Sequence, residues 1–132
     1  MKAITNLQKV QRYLKAIEDG NFSPIQDIFA PECVMEQLPN LIYPNGTRSG
    51  LSGIEEAFEK GRKLLSSQKY EIQRHLVEGD AVAVEVLWIG KLATSFGKLA
   101  AGSELRAHSA MFFEFKDGKV VSQRNYDCFE SF

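Results

Sequence analysis

Apolar residues return at helical spacing from the start of the chain, at Ile4, Leu7, Val10, Leu14 and Ile17, the signature of a helix with one buried face. Thr5 and Gln8 are spaced as a capping box and Gly20 stands where a helix stops, which predicts a helix over residues 5–19 with Tyr13 on its buried face. Ser23 as cap, Pro24 at the first helical position and Pro31 as terminator predict a short second helix over 24–29. Glu32 to Leu38 is a strand candidate, with Cys33, Met35 and Gln37 on one face and Val34, Glu36 and Leu38 on the other. The segment after Pro39 reads as a loop whose first half, Leu41-Ile42-Tyr43, is unusually apolar and suited to covering something. Ser52 and Glu55 form a third start signal, and Ile54, Ala57, Phe58, Gly61 and Leu64 or Leu65 predict a helix over 53–66.

Beyond that helix the period becomes two. Tyr70, Ile72, Arg74 and Leu76 run to Gly79-Asp80, and Val82, Val84, Val86 and Trp88 return, which predicts a hairpin. A connection from Gly90 to Gly102 leads to a strand over 104–116, where Met111, Phe113 and Phe115 alternate with Phe112 and Glu114. Asp117-Gly118 is a two-residue hairpin turn that delivers the last strand. The expected class is α+β: three N-terminal helices covering one face of a curved, mostly antiparallel sheet, built from one short early strand and a four-strand meander.

The last strand carries an unusual face. Val121, Gln123, Asn125, Asp127 and Phe129 alternate with Val120, Ser122, Arg124, Tyr126 and Cys128. Two amides and a carboxylate in register on a strand otherwise fit for a sheet interior must meet water, a partner or a ligand. Composition narrows the choice. The 132 residues, 44% hydrophobic, are enough for a single domain over 1–132 with one core, and 16 basic against 17 acidic residues leave no field for nucleic acid or an anionic membrane. No apolar run reaches bilayer length and the stretch Met1 to Asn6 lacks a signal-peptide core, so the cytoplasm is the expected compartment. Cys33 and Cys128 read as reduced, mostly buried thiols, and His75 and His108 have no carboxylate spaced as a partner ligand, so no metal site is expected. A glycine-rich phosphate loop is absent, as is a cysteine nucleophile with a defined base.

Several stretches resemble the ketosteroid isomerase and nuclear transport factor superfamily, and its SnoaL-like branch in particular. Arg12-Tyr13 followed by Gly20-Asn21 is similar to the family's first-helix signature, Phe29 to Glu36 to its first strand, and Phe113-Glu114-Phe115 into Asp117-Gly118-Lys119-Val120-Val121 to its penultimate strand and closing hairpin. The resemblance implies a cone-shaped fold enclosing an apolar pocket and a homodimer formed through the outer sheet face, where Ala83, Glu85, Leu87, Ile89, Ala110 and Phe112 would meet a second copy. It also places Tyr13 where ketosteroid isomerases carry the tyrosine that donates to the enolate. Their general base falls on Gln37 and their protonated aspartate on Met111, and neither an amide nor a thioether can do that work. The resemblance therefore argues against steroid isomerisation.

SnoaL-like cyclases and limonene epoxide hydrolases use an aspartate near the end of the last strand, and Asp127 is the matching position. The implied reading is a small-molecule-binding protein that acts without a cofactor as an isomerase, cyclase or hydrolase on a small, apolar, oxygen-bearing substrate. Asp127 is the acid or base and Tyr13 the hydrogen-bond donor. Gln37, Gln123 and Asn125 orient the substrate, between walls of Trp88, Met111, Met35, Phe113 and Phe58. The alternative is a non-catalytic binding or interaction module of the same fold. His108 and Arg106, out of phase with Met111, are expected on the outer face, and His75 on the surface.

Overall fold

The computed structural model describes residues 4–132, so the opening Met1-Lys2-Ala3 of the N-terminal stretch lies outside it. Helix α1 spans Asn6–Asp19, and the Thr5/Gln8 capping box forms in both directions. It ends at Gly20, whose φ of 68° is the left-handed conformation glycine adopts freely. Helix α2 is Ser23–Ile28. Ser23 does not cap it: Phe22 holds the cap position, and the Ser23 N–H donates to Asn21 Oδ1 at 3.2 Å. Helix α3, Leu51–Leu64, starts from Gly50 without a side-chain cap. The expected Ser52/Glu55 box does not form because the helix begins before it, leaving Ser52 inside the first turn.

The strands are β1 (Phe29–Gln37), β2 (Thr47–Ser49), β3 (Leu65–Glu78), β4 (Ala81–Leu92), β5 (Glu104–Lys116) and β6 (Lys119–Phe129), in one sheet ordered β2-β1-β6-β5-β4-β3. The sheet thus has six strands rather than the five expected. The addition, β2, has only Thr47, Arg48 and Ser49, too short and polar to show alternation, and it pairs antiparallel to β1 with an Arg48–Glu36 ion pair at 2.8 Å. The sheet is curved, unclosed and mixed, since β1 runs parallel to β6. That contact brings Gln37 beside Asn125 and Met35 beside Gln123. Strand β1 also begins earlier than its pattern suggested, because α2 ends directly in extended backbone at Phe29.

Two of the sheet's four register shifts, one between β5 and β6 and one in β3, bear on which side chains face the helices. At the β5–β6 turn Asp117 and Gly118 both have positive φ, 52° and 78°, as the tightest hairpin turn demands. Phe115 pairs with Val120, but Glu114 pairs with Ser122, leaving Val121 as an inserted residue. Beyond it Phe113 faces Gln123, Met111 faces Asn125 and Ser109 faces Asp127. On β3 a second register shift falls between Ile72 and Arg74, so Leu76 lies beside Ala83 rather than on the face of Tyr70 and Ile72. Leu76 is accordingly 59% exposed.

The core lies between the helices and the inner sheet face. Val10, Leu14 and Ile25 from the helices meet Phe29, Val82, Val86, Phe113 and Val120 from the strands, all nearly inaccessible. Cys33 belongs to this core, whereas Cys128 is exposed. The expectation that both thiols are buried fails at Cys128 because it sits on the outer face of β6, beside His108.

Candidate active site

The inner face of the sheet is not filled to its end. A cavity of about 240 Å³ lies among α1, α3 and the strands, lined by both polar groups and apolar walls. Asp127 lines it from β6, and Ser109 of β5, its direct cross-strand neighbour, donates to Asp127 Oδ1 at 2.6 Å. Ser109 itself is buried. Burial pushes the Asp127 carboxyl above its ordinary value of 3.8, with the Ser109 hydroxyl pulling the other way. A carboxyl so placed is easier to protonate than one in water, which suits it to exchange a proton.

Tyr13 lines the same cavity from α1, held by edge-on contacts with Phe29 (centroids 4.9 Å) and Phe113 (5.8 Å). Its pKa is pushed up to about 12, first by burial, with the Gln123 amide opposing and the Asp127 and Cys33 charges adding to the rise. At neutral pH the hydroxyl therefore keeps its proton and can donate it to a hydrogen bond. Gln123 lies near enough to influence that hydroxyl, yet its own Oε1 is buried with no bonded donor. Its Nε2 donates to Asn125 Oδ1 at 2.9 Å. An amide whose oxygen is occupied in this way turns its NH₂ elsewhere, and Asn125 lines the cavity.

Of the other residues anticipated at the site, Gln37, Trp88, Met35, Met111 and Phe58 line the cavity. Gln123 and Phe113 do not. Both are 1% exposed and lie behind the wall, where Phe113 supports Tyr13 and Gln123 supports Asn125. On the outside, His108 is exposed and meets Glu130 at 2.8 Å, because β5 runs without a bulge through Ser109. Tyr126 is likewise on the outer face, 43% exposed, and His75 is exposed on β3. Among the described residues no group of three His, Cys, Asp or Glu is placed to hold a metal ion, and no helix is long and apolar enough to cross a membrane.

The Ile42-Tyr43 segment, part of the loop expected to cover something, lines the cavity, and Ser109, Gln68 and Tyr70 are among the further lining residues not anticipated at the site. The loop is shaped by Asn40, whose Oδ1 accepts from the N–H groups of Ile42 and Tyr43, both at 2.9 Å. The apolar tripeptide was the available signal, and the asparagine at its head was the device that aims it. Tyr70 is raised in pKa by burial and then by the Tyr13, Asp127 and Glu18 charges, which sets its hydroxyl in the same electrostatic neighbourhood. Its backbone N–H is held by Glu18 Oε2 at 2.7 Å.

Helices laid over a curved, unclosed mixed sheet, with a partly apolar chamber between them, define the nuclear transport factor-like superfamily. Within it the chain belongs to the SnoaL-like domain family, whose profile matches residues 10–123. Its fold superposes on IdmH, a candidate polyketide cyclase from Streptomyces antibioticus, with a TM-score of 0.81 at 17% identity, covering 94% of this chain and 92% of that one. It is similar to AclR, a candidate hydroxylase from Streptomyces galilaeus (TM-score 0.79, 18% identity, 95% and 79% covered). A SnoaL-like polyketide cyclase from Agrobacterium tumefaciens strain C58 superposes with a TM-score of 0.72 at 14% identity, 95% and 92% covered. At such identities the likeness is one of fold. Among curated proteins none matches the chain in sequence.

The raised Asp127 carboxyl has a consequence for stability. The folded chain holds this proton more tightly than the unfolded chain, so stability falls as pH rises from 3.8 through the raised value, and above it the fold bears the full cost of a partly buried charge. Asp127→Asn keeps an acceptor for Ser109 and removes that cost. Its melting temperature should exceed that of the wild type at pH 8, with the gap closing towards pH 4; a gap independent of pH in thermal denaturation would contradict the assignment.

A Cβ at Gly90 would come within 2.5 Å of the Trp88 ring. Gly90→Ala should displace the indole, lower stability by about 1–3 kcal/mol and shift the tryptophan emission to the red. An unchanged spectrum would mean that the ring does not lie across residue 90.

Proposed function

We propose that the chain binds a small, largely apolar, oxygen-bearing molecule in this cavity and acts on it by proton transfer, as a cofactor-independent isomerase, cyclase or hydrolase. The observation that carries the reading is the raised Asp127 carboxyl, tethered by Ser109 within an apolar chamber that Tyr13 also lines. For a substrate with an acidic C–H beside a carbonyl, the Asp127 carboxylate takes the proton and the C–H electron pair becomes the enolate. The charge then resides on the carbonyl oxygen, where the Tyr13 hydroxyl donates to it. The proton returns at another carbon in an isomerisation; in a cyclisation the enolate carbon attacks a second carbonyl and the alkoxide so formed takes the proton back from Asp127. Electrons and protons balance with no added oxidant or reductant. IdmH, the candidate polyketide cyclase, and the SnoaL-like polyketide cyclase from Agrobacterium tumefaciens share this fold, and a ring closure is compatible with this scheme.

A non-catalytic binding module is the second reading. It is favoured by Gln37 and Met111, which line the cavity and which the resemblance to ketosteroid isomerases matches to the acids of those enzymes. The two are separated by deuterium exchange into 2-tetralone, a bicyclic ketone with activated α-protons, followed by proton NMR in D₂O. The catalytic reading expects exchange above the buffer rate, and a loss of about 10²–10⁴-fold in Asp127→Asn. Binding of 2-tetralone without enhanced exchange, or full exchange in the variant, removes Asp127 from the mechanism.

We further propose self-association through the outer sheet face. Phe112 and Tyr126, 44% and 43% exposed, meet edge to face at 5.8 Å, and Ala83 continues the patch from Phe112 to Leu76. Phe112→Asp should shift the protein from dimer to monomer in analytical ultracentrifugation with the circular dichroism spectrum unchanged. A wild-type protein that sediments as a monomer at micromolar concentration refutes the interface.

A further inference from the structure

The cavity has a second polar end, on β3, that the scheme above leaves unused. Gln68 lies across from Gly90, and the Trp88 indole lies over that glycine, where any Cβ would collide with it. This brings Trp88 Nε1 to 3.0 Å from Gln68 Oε1. An indole N–H only donates, so the Gln68 amide is fixed with its oxygen towards the tryptophan and its NH₂ turned away. The Tyr70 hydroxyl, which can donate as well as accept, lies 3.5 Å from the same oxygen. Gln68 lines the cavity, and among the described residues no acceptor engages its Nε2.

We infer that Gln68 is a specificity-determining residue whose Nε2 donates to an acceptor oxygen at the end of the ligand remote from Asp127. The ligand class is then a small, mainly apolar molecule with two oxygen functions, one beside Asp127 and Tyr13 and one beside Gln68. This rests on the reading of the cavity as a ligand site. Strands β3 and β6 are three spacings apart in the sheet, at most roughly 14 Å between backbones before side chains reach inwards. The chamber of about 240 Å³ exceeds the ~150 Å³ apolar cavity that accommodates benzene. Two fused rings carrying an oxygen on each suit both measures. Gly90 and Trp88 act as positioning residues: the glycine admits the indole, and the indole sets the amide.

Trp88 is the only tryptophan of the chain, so its emission reports binding at this end of the cavity. Two probes of one skeleton, trans-decalin-1,5-dione and trans-1-decalone, are titrated against wild type, Gln68→Met and Asp127→Asn. The wild type is expected to bind the dione about five to ten times more tightly, the worth of one added hydrogen bond. Gln68→Met should bring the ratio near one with decalone affinity within about twofold of wild type, while Asp127→Asn keeps the preference. Should Gln68→Met not fold, Gln68→Glu retains the acceptor for Trp88, lacks the donor and should lose the preference equally. A preference that survives in the Gln68 variants, or is absent from a wild type that binds both probes, overturns the role of Gln68 and leaves the cavity reading standing. Failure of both probes to bind the wild type overturns both.

Discussion

The inserted residue Val121 is the constraint on which the site depends. A two-residue turn pairs Phe115 with Val120, and an uninterrupted ladder from there would set Met111 opposite Arg124 and Ser109 opposite Tyr126. The guanidinium would then face the core, at a desolvation cost that nothing nearby could offset. One unpaired residue reverses the parity of the whole strand. Arg124 and Tyr126 turn outwards and Gln123, Asn125 and Asp127 turn inwards, so the same bulge that spares the core a buried charge creates the polar stripe of the cavity.

Within the cavity polar groups support one another in pairs, and each pair leaves one member directed at the open volume. Ser109 anchors one oxygen of Asp127, Gln123 occupies the oxygen of Asn125, and Trp88 occupies the oxygen of Gln68. In each case a buried or half-buried neighbour fixes an orientation that would otherwise be free, at little conformational cost during binding. The apolar walls do complementary work. By excluding water they raise the Asp127 carboxyl and hold the Tyr13 hydroxyl protonated, which separates the roles of acceptor and donor at one pH.

Much of the architecture was legible because it is written in local patterns. The capping box at Thr5 and Gln8, the stop at Gly20, the Asp117-Gly118 turn and the alternation of Met111, Phe113 and Phe115 each have a short-range physical cause. The misses share a different cause. Ser52 and Ser23 had the chemistry of caps but lay inside helices that began earlier, and the three polar residues of β2 became a strand only because β1 offered them an edge. Phe113 and Gln123 were rightly placed on the inner face, yet other side chains stand between them and the cavity.

The chain alone thus determined the elements other than β2, most of their buried faces and the presence of an acid and two amides on one strand, since periodicity and turn chemistry act over a few residues. Strand order, the parallel meeting of β1 with β6 and the register across β5 and β6 came from the tertiary structure, because they depend on contacts between residues far apart in sequence. The signal for the bulge was present: a two-residue turn and two alternating strands with those apolar faces cannot be reconciled without one inserted residue. What no local pattern could convey is that Ser109 meets Asp127 and that Gly90 makes room for Trp88 to orient Gln68, for those are matters of which side chains share a volume.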